Sequence, residues 1–338
     1  MKKSFLALGL SLAMVLSACG GSETSNEASE TEGSGESTTL RLAHSGSESH
    51  QYHIAAEKFK ELVEEKTDGS VSVDIYPNAT LGSEGEVVEQ ILDGSIDMTT
   101  VAADSSFANT VPAMNVFGIP YLFRDRDHIY NVLDGDIGQS LLDDVNERNM
   151  VGVGYWEVGF RHLTNNVREV HTPEDAQGLS VRVQPSPVWE AHMRELGANP
   201  TPVDFNELYS ALDQGVVDGQ ENPLPTINSM KFYEVQNHVS LTAHTYSPAI
   251  VVMSNRAWDG LSEDQQAAVG EAVAEATSYQ RDALLDMEEE ILQTIKDSGV
   301  TVIEDPDREA FQVATENVAE VLSQQVPQEL IEDISNVE

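Results

Sequence analysis

Cysteine is almost absent from this chain: Cys19 is the only one in 338 residues. That excludes a disulfide framework, a thiolate zinc site, an iron–sulfur cluster and a redox dithiol. Basic residues are also scarce, seven Lys and eleven Arg against 58 Asp and Glu, for a net charge of −40. An acidic excess of this size repels phosphate backbones, so nucleic acid is not an expected partner. After the first twenty residues no apolar run reaches the ~18 needed for a membrane span. Nor is there a Gly-x-Ser-x-Gly elbow, a P-loop or a strand-linked Gly-x-Gly-x-x-Gly. What remains is ordinary globular composition, 40% apolar, with length for about two domains.

The chain opens with an address. Met1-Lys2-Lys3 is a positive start and Phe5 to Leu16 a short apolar core, too short to span a bilayer and typical of an export signal. It ends in Leu16-Ser17-Ala18-Cys19, which resembles a bacterial lipobox. The resemblance implies cleavage before Cys19, lipidation of its thiol, and attachment to the outer side of the cell membrane. Residues 20–38 are nearly all Gly, Ser, Glu, Thr, Asn and Ala, a composition that buries no apolar surface and serves as a flexible acidic tether. Loss of Lys2 and Lys3 with the signal leaves 16 − 58, or −42, a balance that suggests a saline habitat.

From Leu40 onward strand and helix patterns alternate. Leu40–His44, Val71–Tyr76, Ser95–Ala102, Met150–Trp156 and Ser180–Val183 read as strands. Ile54–Lys66 and a segment at about 127–147 read as helices. Thr172-Pro173-Glu174-Asp175 is a helix start, with Thr as cap, and Gly178 stops the helix before the next strand. This alternation predicts an α/β fold with mostly parallel sheets. Two stretches rhyme: Glu86–Asp97 and Asn206–Asp218 each give a short helix, a glycine turn and a Gly-x-x-Asp entry to a strand. The rhyme predicts two similarly built lobes facing across a cleft. Ser262–Ser298, almost free of breakers, predicts one helix long enough to brace both.

Among candidate chemical groups, 58 carboxylates make acid-pair spacing uninformative. His44, His50 and His53 form a cluster that a metal-binding receptor would use, with a solvated helix start as the plainer alternative. Two arginines stand out. Arg182 lies in Leu179-Ser-Val-Arg-Val183 and Arg161 in Trp156-Glu-Val-Gly-Phe-Arg161, both among large apolar groups. An unpaired guanidinium in such a place is expensive, so each either makes a buried ion pair or awaits an anionic ligand. Trp156 is an aromatic candidate for the same cleft, with core packing as its alternative.

Four ordered motifs, Gly178-Leu-Ser-Val-Arg-Val183, Gly197-Ala-Asn-Pro-Thr-Pro-Val203, Val217-Asp-Gly-Gln-Glu-Asn-Pro223 and Phe232-Tyr-Glu-Val-Gln236, resemble the extracytoplasmic solute receptors of tripartite ATP-independent periplasmic (TRAP) transporters. The resemblance runs from about Leu40 into the long helix and includes Tyr76-Pro77-Asn78 with Leu81-Gly82. It implies a two-lobed periplasmic-binding-protein fold, with hinge strands and a long helix bracing both lobes. Lobe I would hold residues 39–158 and 248–286, and lobe II residues 159–247 and 287–338. In the family the arginine matching Arg182 binds the ligand carboxylate, and Ser180 here replaces the family's lysine. A second family arginine matches Arg161, the asparagine of Gly-Gln-Glu-Asn-Pro matches Asn222, and an aromatic matches Phe205. The N-terminal loop of family sites falls near His44 and Ser45. Ala103-Asp104 stands where sialic-type receptors carry glutamate, so that ligand does not fit. The implied protein is a monomeric, cofactor-free receptor for a small organic acid, either a four-carbon dicarboxylate or a sugar acid. Its partners would be the TRAP membrane subunits. The other readings are a metal receptor and a secreted lipoprotein enzyme on the same fold.

Overall fold

Leu40 and Leu42 are buried while Thr39 and Arg41, which alternate with them, are not, the period-two signature of a strand with one covered face. In a computed structural model, which describes residues 37–338, this strand is β1 (Thr38–Ala43). The export signal, Cys19 and the tether as far as residue 36 lie outside the described residues. Nine more strands follow: β2 (Val71–Tyr76), β3 (Met98–Ala102), β4 (Met150–Asn165), β5 (Ser180–Val183), β6 (Asn199–Pro202), β7 (Gly219–Pro223), β8 (His238–Ser240), β9 (Tyr246–Ser254) and β10 (Thr301–Ile303).

Their order is β2-β1-β3-β9-β4-β7-β5-β6, with β8 joining β4 to β10. The two ends mirror each other. β2-β1-β3 and β6-β5-β7 are both parallel, and they meet through β9 and β4, which run antiparallel to their neighbours. Most of the pairings are parallel, as the alternating pattern predicts.

β4 is the strand the sequence pattern cuts short. It continues past Trp156 to Asn165, pairing β9 along its first part and β7 and β8 along its last. Register shifts at Gly152/Gly154 and Glu157/Gly159 bend it as it passes from one half of the sheet to the other. Gly159 sits at φ 120°, a backbone conformation that a side chain would strain.

The long helix spans Glu263–Asp297, capped by Ser262, whose hydroxyl accepts from Gln265 while Gln265 reaches back to the Ser262 N–H. At ~1.5 Å per residue it is roughly 50 Å long. Its early turns bury Val269, Ala272, Val273 and Ala276 against Leu40, Phe59 and Trp156. Its late turns bury Ile291 and Ile295 against Leu208, Ile227 and Phe232. Between these two cores Gln280 donates to the Gln51 carbonyl at 2.7 Å and accepts the Glu157 N–H at 2.6 Å, fastening the helix to β4 where it bends.

One helix expectation needs correction. The segment near 127–147 is two helices, Arg126–Leu133 and Asp136–Asn146, because Gly135 is extended and caps the second. A Cβ on Gly138 would lie 2.0 Å from the Leu133 carbonyl oxygen, so the close turn requires glycine. The last helix, Gln328–Asn336, docks beside the start of this helix pair. Arg124 donates to the Ser335 and Val337 carbonyls, and Asn131 to that of Glu338. Among the described residues no helix is long and apolar enough to cross a membrane.

Candidate ligand-binding site

β5 carries Arg182 between Val181 and Val183, both fully buried, and Arg182 itself is 1% exposed. Its Nε donates to the Val203 carbonyl at 2.8 Å, but Nη1 has no partner and the guanidinium makes no ion pair among the described residues. Burial pushes its pKa down to about 10. Glu221, Glu84 and Asp204 act against that fall and nearby Arg161 reinforces it. An unpaired buried cation is a costly thing for a fold to keep.

Arg161 is different. The β4–β7 register sets Leu163 opposite Glu221 and His162 opposite Asn222. Arg161 Nε meets Glu221 Oε2 at 2.5 Å and Nη2 meets Oε1 at 2.9 Å, a two-pronged contact sealed from solvent. Nη2 also donates to Asn222 Oδ1 at 3.1 Å. The Trp189 ring covers the guanidinium, 4.9 Å from centroid to Cζ. Burial alone would raise the Glu221 pKa, but Arg161 and the His244 contact at 3.3 Å outweigh it and hold the carboxyl low.

Two more carboxylates lie around this pair. Asp104 is fully buried. Its Oδ2 accepts from the Ser247 hydroxyl at 2.7 Å, while Oδ1 has no partner. Burial pushes its pKa up to about 7, opposed by Arg161. Glu84, in the first turn of helix Glu84–Asp93, accepts from Ser45 at 2.8 Å and Ser105 at 2.9 Å, and burial raises its pKa. The buried Tyr52 ring stands edge-on to His44 at 6.2 Å and to His50 at 4.4 Å, and burial, reinforced by Glu84, raises its pKa.

Arg182, Arg161 and Asn222 therefore come together, and Ser45 joins them through Glu84. Phe205 follows Val203, the partner of Arg182, and packs edge-on to His50 and Phe232 at 5.9 and 6.2 Å. His44 shares a hydrogen bond with His53 at 3.1 Å, and burial pushes its pKa down to about 3. Trp156 is buried against Phe59 at 6.3 Å in the core wall, its indole N–H unpartnered. His50 does not share a ligand set with His44 and His53: its Nδ1 accepts the Tyr52 N–H, and its Nε2 pairs with Thr226. Among the described residues no group of three or more His, Cys, Asp or Glu is arranged to hold a metal. Glu84, Glu221 and Tyr52 are not singled out by the sequence reading, whereas Asp104 enters it at the position where sialic-type receptors carry glutamate and Trp189 as a lesser aromatic candidate. Of the first three only Glu221 carried a signal, its place beside Asn222 in Gly-Gln-Glu-Asn-Pro. A surface hollow of about 660 Å³ lined by Tyr121, Arg126, Phe160 and Arg308 shares no residue with this cluster.

Residues 42–325 match the family model DctP, described as bacterial extracellular solute-binding protein, family 7. The chain is 38% identical over 291 residues to the 2,3-diketo-L-gulonate-binding periplasmic protein YiaO of Escherichia coli, covering 86% of this chain and 88% of that protein. A TRAP periplasmic solute-binding protein from Polaromonas, solved with D-erythronate, superposes with a TM-score of 0.87 at 36% identity, covering 89% of this chain and 99% of that one. One from Sulfurospirillum deleyianum, solved with succinate, gives 0.84 at 36% identity, with 89% and 99% covered. The chain belongs to the bacterial extracellular solute-binding proteins of family 7.

Proposed function

We propose that this protein is the extracytoplasmic receptor of a TRAP transporter, capturing a small organic acid anion and delivering it to the membrane subunits. The observation that carries this reading is Arg182, a buried guanidinium with a free Nη1 and no carboxylate partner among the described residues. A carboxylate seated there would supply both the charge and the hydrogen bonds that the fold withholds. The similarity to proteins solved with D-erythronate and with succinate supports the same class of ligand. The work is binding and release, not catalysis, and the receptor acts as a monomer whose two lobes close around the acid. β4 and the long helix link the two halves of the sheet and are the elements about which the lobes move.

Thermal-shift screening of the purified protein against organic acids tests the reading. An acid at a hundred times its dissociation constant should stabilise the fold by ~2.7 kcal/mol. Silence across carboxylates, with response to a neutral sugar or a metal, would refute it. Lipid attachment at Cys19 belongs to the same proposal. Cys19→Ser should leave an unprocessed, unlipidated precursor, and a wild-type mature N-terminus found elsewhere without lipid would remove the anchor.

A further inference from the structure

Three of the eleven arginines in this acidic chain, Arg124, Arg126 and Arg308, line the hollow of about 660 Å³ that shares no residue with the Arg182 cluster. Phe160 of β4 also lines it, and neighbours along a strand point to opposite faces, so the hollow lies behind Arg161 rather than beside it. The three cations are not equally engaged. Arg126 pairs with Glu288 at 3.0 Å. Arg124 gives both terminal nitrogens to backbone carbonyls, those of Ser335 and Val337. Arg308 gives Nε and Nη2 to the Leu241 carbonyl at 3.1 and 2.8 Å, and this holds its fork in place while Nη1 stays unbonded among the described residues. A carbonyl fixes a guanidinium without neutralising it, so Arg308 keeps its charge and a whole terminal nitrogen for another acceptor.

The walls of the hollow are strained. Tyr121 and Ala243, both lining it, lie in the left-handed region at φ 56° and 45°, which residues with a side chain seldom adopt. Hydrogen bonds hold them there: the Tyr121 N–H on the His244 carbonyl at 2.8 Å, its hydroxyl on the Thr242 carbonyl at 3.2 Å, and the Ala243 N–H on His162 Nδ1 at 3.1 Å. Strain that the surroundings enforce in this way gathers at binding sites. The lining also says what would fit. Tyr121, Phe123 and Phe160 are aromatic, and the Arg126 guanidinium already stands over the Phe160 ring, 5.9 Å from Cζ to centroid. Asp125, Asp127 and Glu309 line the hollow as well, so three arginines, one of them spent on Glu288, leave nothing to balance a polyanion. A single carboxylate on a flat apolar body meets both conditions, and the volume is within the ~300–1,000 Å³ of small-molecule sites. We propose that this hollow is a second binding site, for an aromatic monocarboxylate, with the carboxylate on Arg308 and the ring against Phe160. The site is independent of the organic-acid reading above and of which acid that reading concerns.

Isothermal titration with benzoate, phenylacetate and indole-3-acetate, against benzamide, acetate and phosphate, tests it. At least one aromatic acid should bind with a dissociation constant of about 1 mM or tighter, and each control ~10-fold or more weakly than that. Arg308→Ala should weaken the aromatic acid by ~10- to 100-fold. Arg308 is exposed, so the melting temperature should hold. Should that variant fail to fold, Arg308→Gln keeps a donor for the Leu241 carbonyl and should show the same loss. Arg182→Ala should leave the affinity for the aromatic acid unchanged. Binding lost in Arg182→Ala and kept in Arg308→Ala would put the acid at Arg182 and overturn the second site. Benzamide binding as tightly as benzoate would overturn the carboxylate assignment. No heat from any of the three acids up to about 10 mM would overturn the proposal outright.

Discussion

Asp97 and Asp218 perform one task at two places in the sheet. Asp97 Oδ2 accepts the Arg41 N–H of β1 at 2.9 Å, and Asp218 Oδ2 accepts the Ser180 N–H of β5 at 2.8 Å. The backbone carbonyl of each then takes the N–H at the end of a long strand, Ser254 for Asp97 and Asn166 just past β4 for Asp218. Each aspartate follows a glycine turn in the left-handed region, Gly94 at φ 75° and Gly215 at φ 66°. The short rhyme in sequence is thus a repeated structural joint, locking a parallel strand pair to the strand that crosses between halves.

This equivalence predicts matched costs. Asp97→Ala and Asp218→Ala each remove a hydrogen bond to a charged acceptor, ~1.5–3 kcal/mol, and the Asp97 change also leaves the Arg41 guanidinium with only the Ser95 carbonyl. Urea unfolding should show losses of that size for both, with ligand affinity per folded molecule near wild type. A loss confined to one of them would break the equivalence.

Arg182 and Arg161 should respond in opposite ways to truncation. Arg182→Ala removes an unpaired buried charge, so its melting temperature should hold or rise while affinity falls by ~30- to 5000-fold. Arg182→Lys should restore little, since an ammonium lacks the planar fork. A drop in stability with affinity intact would make Arg182 a structural residue.

Arg161→Ala, by contrast, strands Glu221 in the interior. Breaking a buried pair from one side costs ~3–5 kcal/mol, so the melting temperature should fall steeply. Replacing both partners, as in Arg161→Met with Glu221→Leu, should recover most of that loss. Failure to recover it would mean that Asn222 and Trp189 depend on the guanidinium for their own placement.

The buried acids and histidines make stability depend on pH in opposing directions. Burial pushes His44 and His162 down to about 3, so between about pH 3 and 6.5 the folded chain binds fewer protons than the unfolded one, and stability falls with acid. Asp104, raised to about 7 by burial, binds more protons folded than unfolded between about pH 4 and 7, so its contribution falls as pH rises. Asp104→Asn removes only the second effect. Its stability relative to wild type should therefore climb from about pH 4 to about pH 7, by roughly 4 kcal/mol at most, and then level off. Parallel pH profiles for the two proteins would show that Asp104 ionises as an ordinary surface acid does.

Some of this was open to a reader of the sequence and some was closed, for physical reasons. The long helix was legible to within a residue because Ser262 and Gln265 form a capping box and nothing breaks the run before Ser298. The turn at Thr172 was legible for the same kind of reason, a cap and a proline at adjacent positions. β4 past Trp156 was not, since Glu157, Gly159, Arg161 and His162 interrupt any apolar alternation and their burial comes from strands far away in the chain. The two arginines looked equivalent because the residue that separates them, Glu221, lies sixty positions from Arg161. Glu84 was hidden among 58 acids, where nothing local marks the few that the fold encloses.

The solitary state of Arg182 also bears on traffic at the membrane. In the receptor proposed above, closing two lobes without a ligand would strip water from a guanidinium and offer nothing in exchange, so the empty state would favour staying open. A bound carboxylate would remove that obstacle, and closure would become a report that cargo is aboard. On that reading the membrane subunits would need only to recognise the closed shape to ignore vacant receptors, and one side chain would act as the checkpoint against idle transport cycles.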